Sequence, residues 1–294
     1  MTFPALVGID DMACYLPSLY LSIEDLAKAR NLTYEKLSKG LGLEKMGLLD
    51  VHEDSATMAA EAIAALMEKN SLKPEDIGRI YMGTESTLDD AKPTATYAVE
   101  MVEQKIGGSF LHCDVVEMTF ACIGAGDALQ ICLDWVGAKE GRQAIVVASD
   151  FAKYEMNSTG EYTQGAGAVA MLVKWQPRLL TIGEHFGVAM KSEHDFFKPI
   201  RPEYTETPVF DGQFSNLCYQ ARMTEALGDF KRRANISDGP IDDRWSRMVF
   251  HLPYAFHGKR MYIDTFITER KQTAEWQSFL QALALNEPKR DEFD

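Results

Sequence analysis

His112-Cys113-Asp114-Val115-Val116-Glu117-Met118-Thr119-Phe120-Ala121-Cys122-Ile123-Gly124-Ala125-Gly126 is the stretch from which the fold of this 294-residue chain can be read. Its first seven residues form a β-like run, the small residues that follow predict a tight turn, and Ile123 to Trp135 reads as a helix. A strand entering a helix through a short turn is the repeating unit of α/β folds, and here it puts Cys122 at the junction. Free backbone N–H groups and the positive end of the helix dipole at such a junction favour a thiolate and lower the cysteine pKa. The same N–H groups suit an oxyanion forming on a bound acyl group. The segment is equally compatible with an ordinary buried cysteine at an Ala/Gly-rich helix start.

Working outward, the same alternation recurs. Residues 55–69 place Met58, Ala62, Ile63, Leu66 and Met67 on one helical stripe, with Asp54 or Ser55 able to cap its start and Asn70 its end. Arg79-Ile80-Tyr81-Met82 reads as a buried strand closed by Gly83, and Thr94 to Ile106 as a helix. Gln143 to Ala148 is the clearest buried strand, and Gly165 to Val173 is another whose small residues permit close backbone approach. This order predicts a largely parallel sheet covered on both faces. Beyond Pro177 the pattern restarts: Leu179 to Met190 is β-like, Tyr219 to Arg233 helical, and Arg247 to His251 a further strand, with an ordered loop over 195–212. The element order suggests two related parts, 1–177 and 178–294.

Composition narrows the function classes. Apolar residues make up 46% and charged residues 25%, the balance of a globular protein able to bury a sizeable core. No 18-residue apolar run occurs, and the N-terminus lacks a basic region ahead of an apolar one, which argues against a membrane span and a secretory signal. Five cysteines, odd in number and without paired metal-ligand spacing, fit a reduced, cytoplasmic compartment. A net charge of −14 argues against nucleic acid as a partner. An anionic small molecule would need a local basic patch.

Side chains at the carboxyl ends of strands line the ligand crevice of open α/β sheets. Glu85, Cys122 and His251 occupy such predicted positions. A carboxylate, a thiol and an imidazole are what acyl transfer through a thioester requires. Taken singly, Glu85 also reads as a solvated loop charge and His251 as a hydrogen-bonded structural histidine.

At these residues the chain resembles 3-hydroxy-3-methylglutaryl-CoA (HMG-CoA) synthases of the bacterial mevalonate-pathway type, in the thiolase-like condensing-enzyme superfamily. The resemblance is carried by Gly8-Ile9-Asp10, Tyr15-Leu16-Pro17, Thr84-Glu85-Ser86, Asp89-Asp90-Ala91-Lys92 and Ala121-Cys122. It continues through Gly160 to Ala170, Asp195 to Pro199, Asp211 to Ser215 and His251-Leu252-Pro253-Tyr254. It implies a thiolase-like layered αβαβα fold of two related halves. The 1–177 half would carry base and nucleophile, and 178–294 would be a partial second half carrying the histidine.

The resemblance also implies a Claisen-type condensation of acetyl-CoA with acetoacetyl-CoA. Cys122 would be acetylated, Glu85 would remove the methyl proton, and His251 would orient the second substrate's carbonyl. Tyr154, Thr163 and Ser215 become substrate contacts, and Lys259 and Arg260 contacts to the CoA phosphates. Thr163 and Ser215 equally suit turn and helix caps. No metal or redox cofactor is required, and a homodimer is expected.

Two departures stand out. Phe256 occupies the first of two positions that are basic in the family, and the family's Gly-Asn-x-Tyr-Thr-Gly-Ser-type and Gly-Ser-containing segments do not follow residue 285. The second half is therefore expected to be incomplete, and residues 1–294 alone to be unstable or aggregation-prone with impaired catalysis. Alternatives are a carrier-protein-dependent relative of polyketide β-branching and a non-catalytic CoA-binding homologue.

Overall fold

The structure, a computed structural model, describes residues 6–199, 207–237, 239–271 and 273–282. In chain order its elements are β1 (Val7–Tyr15), β2 (Leu19–Ser22), α1 (Ile23–Ala29), α2 (Tyr34–Leu41), β3 (Lys45–Leu48) and α3 (Ser55–Lys69). Then come β4 (Arg79–Gly83), α4 (Thr94–Ile106), β5 (Asp114–Met118), α5 (Gly124–Gly137), β6 (Gln143–Ala152) and β7 (Gly165–Trp175). β8 (Leu180–Thr181), β9 (Phe196–Phe197), β10 (Val209–Phe210), α6 (Gly212–Arg233), α7 (His257–Arg270) and α8 (Ala274–Ala282) complete the order. The described residues fall into two compact units, those within 1–32 and 44–184 and those within 33–43 and 185–294. The sequence places its divide at Pro177; the structure also assigns α2 to the second unit.

A six-stranded sheet in the order β5-β4-β6-β7-β1-β8 forms the first unit. Side chains alternate across it. Ile80, Met82, Ile145 and Val147 pack with α3 and α4 in one apolar cluster. The intervening Tyr81, Ala144 and Val146 are also buried, and α5 packs against β4, β6 and β7. Coverage of both faces thus follows from continuous apolar runs in the central strands. The largely parallel arrangement does not hold. β4 is parallel to β5 and β6, whereas β6 with β7, β7 with β1, and β1 with β8 are antiparallel. Apolar runs reveal burial, but direction is set by the connection, and the 153–164 segment turns β7 back along β6 without a helical crossover.

α3 follows its sequence closely. Asp54 accepts from the Thr57 N–H at 2.7 Å while the Asp54 N–H donates to Thr57 Oγ1 at 2.7 Å, a capping box. The predicted stripe Met58, Ala62, Ile63, Leu66 and Met67 is wholly buried.

The chain beyond Pro177 departs further. Of the β-like run Leu179 to Met190, only Leu180–Thr181 joins a ladder, at the edge of the first unit's sheet beside β1. Arg247 to His251 forms no strand. It is irregular, Val249 is 96% exposed, and no neighbouring strand among the described residues offers it a ladder. Apolar β-propensity without a pairing edge does not make a strand. Within 195–212, β9 pairs with β10, and the 200–206 part lies outside the described residues.

Candidate active site

Three hydroxyls stitch the end of β4 in place. Ser86 Oγ donates to the Phe151 carbonyl at 3.1 Å, Ser55 Oγ donates to the Ser86 carbonyl at 2.5 Å, and Ser149 Oγ donates to the Ser55 carbonyl at 2.7 Å. Glu85 is therefore held between a buried threonine and a buried serine, with its side chain half-buried. Its backbone N–H donates to Asp150 Oδ1 at 2.7 Å, and Thr84 Oγ1 donates to the same oxygen at 3.0 Å. Asp150, on β6, is a site residue the sequence reading passed over. Its signal was available, since it lies toward the end of the most apolar strand.

Cys122 sits in the turn between β5 and α5, as the strand-to-helix junction predicts. The turn closes through the Gly124 N–H to the Phe120 carbonyl at 2.8 Å. It lies tight against β4. A Cβ added at Gly83 would fall on Ala125 N and on the Gly124 carbonyl carbon, and one at Gly124 would come within 3.2 Å of Gly83 Cα. Only glycine permits this approach.

Electrostatics around Cys122 reverse the expected thiolate. Its thiol reaches solvent, yet the protein around it, and then the charges of Glu85 and Asp150, push its pKa up to about 11. The residue's own backbone N–H acts in the expected direction and is outweighed. Burial likewise raises Asp150 above the usual carboxylate range, against the hydrogen bonds it accepts.

Tyr154 and Thr163 join the same cluster. Burial, then the Glu85 and Cys122 charges, push the Tyr154 hydroxyl up to about 12, and a side-chain hydrogen bond links Tyr154 to Thr163. Thr163 Oγ1 also donates to the Gly160 carbonyl at 2.8 Å, so its capping role and its place beside Tyr154 coexist. Four of the eight predicted site residues, Glu85, Cys122, Tyr154 and Thr163, thus converge within the first unit.

Ser215, His251, Lys259 and Arg260 belong to the second unit. Asp211, not Ser215, caps α6, accepting from the Gln213 and Phe214 N–H groups at 3.0 Å each; it occupies the N-cap position with extended backbone, while Ser215 already lies inside the first turn. His251 occupies irregular backbone rather than a strand end. Its carbonyl accepts from Tyr219 Oη at 3.1 Å, and surrounding protein lowers its pKa, favouring the neutral imidazole. Lys259 is exposed and, with Arg247, lines a cavity of about 620 Å³ walled by Trp245, Phe250 and Tyr262. Arg260 donates to Tyr254 Oη at 3.0 Å and to the Gly40 carbonyl at 3.1 Å. Phe256 packs against Gly42, whose φ of +74° a side chain would strain.

A thiol beside carboxylates and hydroxyls, at the start of a helix on a mixed α/β sheet, sits in a chain of the thiolase-like fold. The family Hydroxymethylglutaryl-coenzyme A synthase N terminal matches residues 3–177, and the chain belongs to the HMG-CoA synthase family. It is 39% identical to the hydroxymethylglutaryl-CoA synthase of Haloferax volcanii over 251 residues, 84% of this chain and 55% of that protein. With the Enterococcus faecalis enzyme of the same name identity is 34%, covering 86% and 63%. Among solved structures, MvaS in complex with 3-hydroxy-3-methylglutaryl coenzyme A superposes with a TM-score of 0.86 at 30% identity, over 97% of this chain and 69% of that one. The chain thus spans little more than half the length of the curated relatives it matches.

Proposed function

We propose that this chain carries the acyl-enzyme chemistry of an HMG-CoA synthase, condensing acetyl-CoA with acetoacetyl-CoA in the mevalonate pathway. The observation that carries this reading is the convergence of Cys122, Glu85, Tyr154 and Thr163 at one end of the first unit's sheet.

Cys122 Sγ adds to the acetyl carbonyl, the thiol proton departs, and CoA leaves as its thiol. Glu85 then accepts a proton from the acetyl methyl group. The carbanion so formed attacks the ketone carbon of acetoacetyl-CoA, and the resulting alkoxide is protonated. Water finally cleaves the thioester to Cys122, releasing HMG-CoA and regenerating the thiol. Tyr154 and Thr163 shape the acetyl side of the site. His251 acts on the acetoacetyl side, with Ser215 contacting substrate and Lys259 and Arg260 serving the CoA phosphates. The structure supports Lys259 better than Arg260 for that task, because the Arg260 guanidinium already holds Tyr254 and Gly40.

The division at residue 177 separates, in this reading, a half with base and nucleophile from one with the histidine. Beyond the CoA thioesters no cofactor is invoked. The protein acts as a homodimer in the cytoplasm, the latter supported by free cysteines throughout. Among the described residues no helix is long and apolar enough to cross a membrane.

Labelled acetyl-CoA tests the proposal. Protein-bound label on Cys122 that acetoacetyl-CoA discharges as HMG-CoA is the expected result, and no label on Cys122 would overturn it.

A further inference from the structure

The 153–164 segment that joins β6 to β7 brings Tyr154 and Thr163 to Cys122, and its shape depends on one buried carboxylate that the site chemistry does not use. Glu161 is 7% exposed. Arg30, the residue capping the C-terminus of α1, donates to it through two parallel bonds, Nε to Oε2 at 2.9 Å and Nη2 to Oε1 at 2.7 Å. Oε2 also accepts from the Asn157 N–H at 3.0 Å, where the backbone takes a left-handed turn at φ +64°. A bidentate arginine–carboxylate pair fixes direction as well as distance. On either side of Glu161, the Ser158 carbonyl receives its N–H at 3.2 Å and the Gly160 carbonyl receives the Thr163 N–H at 2.9 Å. At the ends of the segment, the Tyr154 N–H donates to Gln164 Oε1 at 2.6 Å.

We infer that Arg30 and Glu161 are positioning residues for acyl transfer, holding the 153–164 turn so that Tyr154, bonded to Thr163, stays beside Cys122. Three features carry this. The one buried glutamate in the turn pairs with the side chain of Arg30, at the end of α1 and more than a hundred positions earlier. The pair ties the turn to the body of the unit at a point two residues from Thr163. A buried pair of this kind is costly to break, because removing one partner strands the other's charge.

The inference rests on the proposed acyl-enzyme chemistry in taking Cys122 as the reacting thiol, but its test does not use acetyl-CoA. Iodoacetamide reacts with the thiolate, so the rate at which Cys122 is alkylated, read by peptide mass, reports how strongly the surrounding protein, the turn included, holds its pKa up. In Arg30→Ala and Glu161→Ala the turn is released, less protein crowds the solvent-reaching thiol, and its pKa falls from about 11. For each unit of fall, alkylation at pH 8 should rise about threefold, the gain in thiolate being partly offset by its weaker nucleophilicity. Arg30→Lys, which keeps one charged contact, should give a smaller rise. The alkylation rate of Cys132, buried elsewhere on α5, should not change in any folded variant.

An unchanged Cys122 rate in folded Arg30→Ala would overturn the inference, leaving the pair a plain stability element. So would a rise shared by Cys132, which reports general loosening. If both alanine variants fail to fold, a wild-type rate in Arg30→Lys overturns it and an intermediate rise upholds it. Absence of acetylation in the unmodified chain would sink the proposed function while leaving this readout intact.

Discussion

Helices α3 and α6 show how differently the two units are built. α3 buries ten of its 15 residues, all but one edge of the helix. α6 is longer, at 22 residues, and among them only Cys218 is buried. Intrinsic helix preference does not separate them, since both are capped by an aspartate and both end on a basic residue. What differs is the surface available to each. α3 lies over strands of a six-stranded sheet, whereas the second unit's described strands are two residues long. A helix against a sheet inherits a fixed apolar face, and its chemistry-bearing neighbours are held to that frame.

The largest expected effect divides the units by reaction step. Cys122→Ser should abolish acetylation by acetyl-CoA, measured by intact mass, while His251→Ala should leave acetylation intact and weaken acetoacetyl-CoA binding. Label appearing on Cys14, Cys113, Cys132 or Cys218 would contradict the contrast, as would a His251→Ala protein that binds acetoacetyl-CoA normally.

Next in size is Glu85→Ala. Acetyl-enzyme should still form, with condensation reduced at least about 10²–10⁴-fold, the usual contribution of a general base. Equal losses in acetylation and condensation would remove the division of labour between thiol and carboxylate.

The packing difference itself predicts unequal costs for one substitution. Leu66→Ala, at a fully buried α3 position, should lower stability by about 2–5 kcal/mol. Leu217→Ala, 59% exposed on α6, should stay within about 0.5 kcal/mol. Urea unfolding followed by circular dichroism measures both, and similar costs would show that exposure on α6 does not report its packing.

The smallest effect is a pH dependence inside the first unit. A hydrogen bond from Lys69 holds the Asp11 carboxyl down at about 2, from 3.8. A depressed carboxylate contributes its stability above the unfolded value, and that contribution fades as pH falls from about 4 to about 2. Lys69→Met should flatten the melting temperature's decline across that window. A decline as steep as in the parent chain would assign it to other carboxylates.

Legibility in the sequence followed the same divide. α3, α4 and β4 have the bounds their apolar periodicity predicts, because each is buried against a sheet that rewards that periodicity. Cys122 and Glu85 were readable from strand ends. Strand direction was not, since a buried antiparallel strand such as β7 is as continuously apolar as a parallel one. Arg247 to His251 misled for the opposite reason, having the composition of a strand and no ladder to join. The raised Cys122 pKa was also out of reach: helix position is local, whereas the surrounding protein that mainly raises it, and then the charges of Glu85 and Asp150, are assembled from distant parts of the chain. Asp211 and Ser215 show the limit for caps, where two suitable residues in one window left the choice to backbone geometry.

The contact between Gly83 and Gly124 has an evolutionary consequence. Where base and nucleophile are positioned by side-chain packing, many substitutions can readjust their separation by small steps. Here two bare backbones touch, and the approach of the β4 end, just before Glu85, to the turn that carries Cys122 is set by atoms that belong to no side chain. The surrounding core is free to drift, trading isoleucine for valine or methionine for leucine, and the spacing of the reacting groups stays as it was. That spacing has a mutational target of two positions. At either of them the smallest available change, a single methyl group, is already too large.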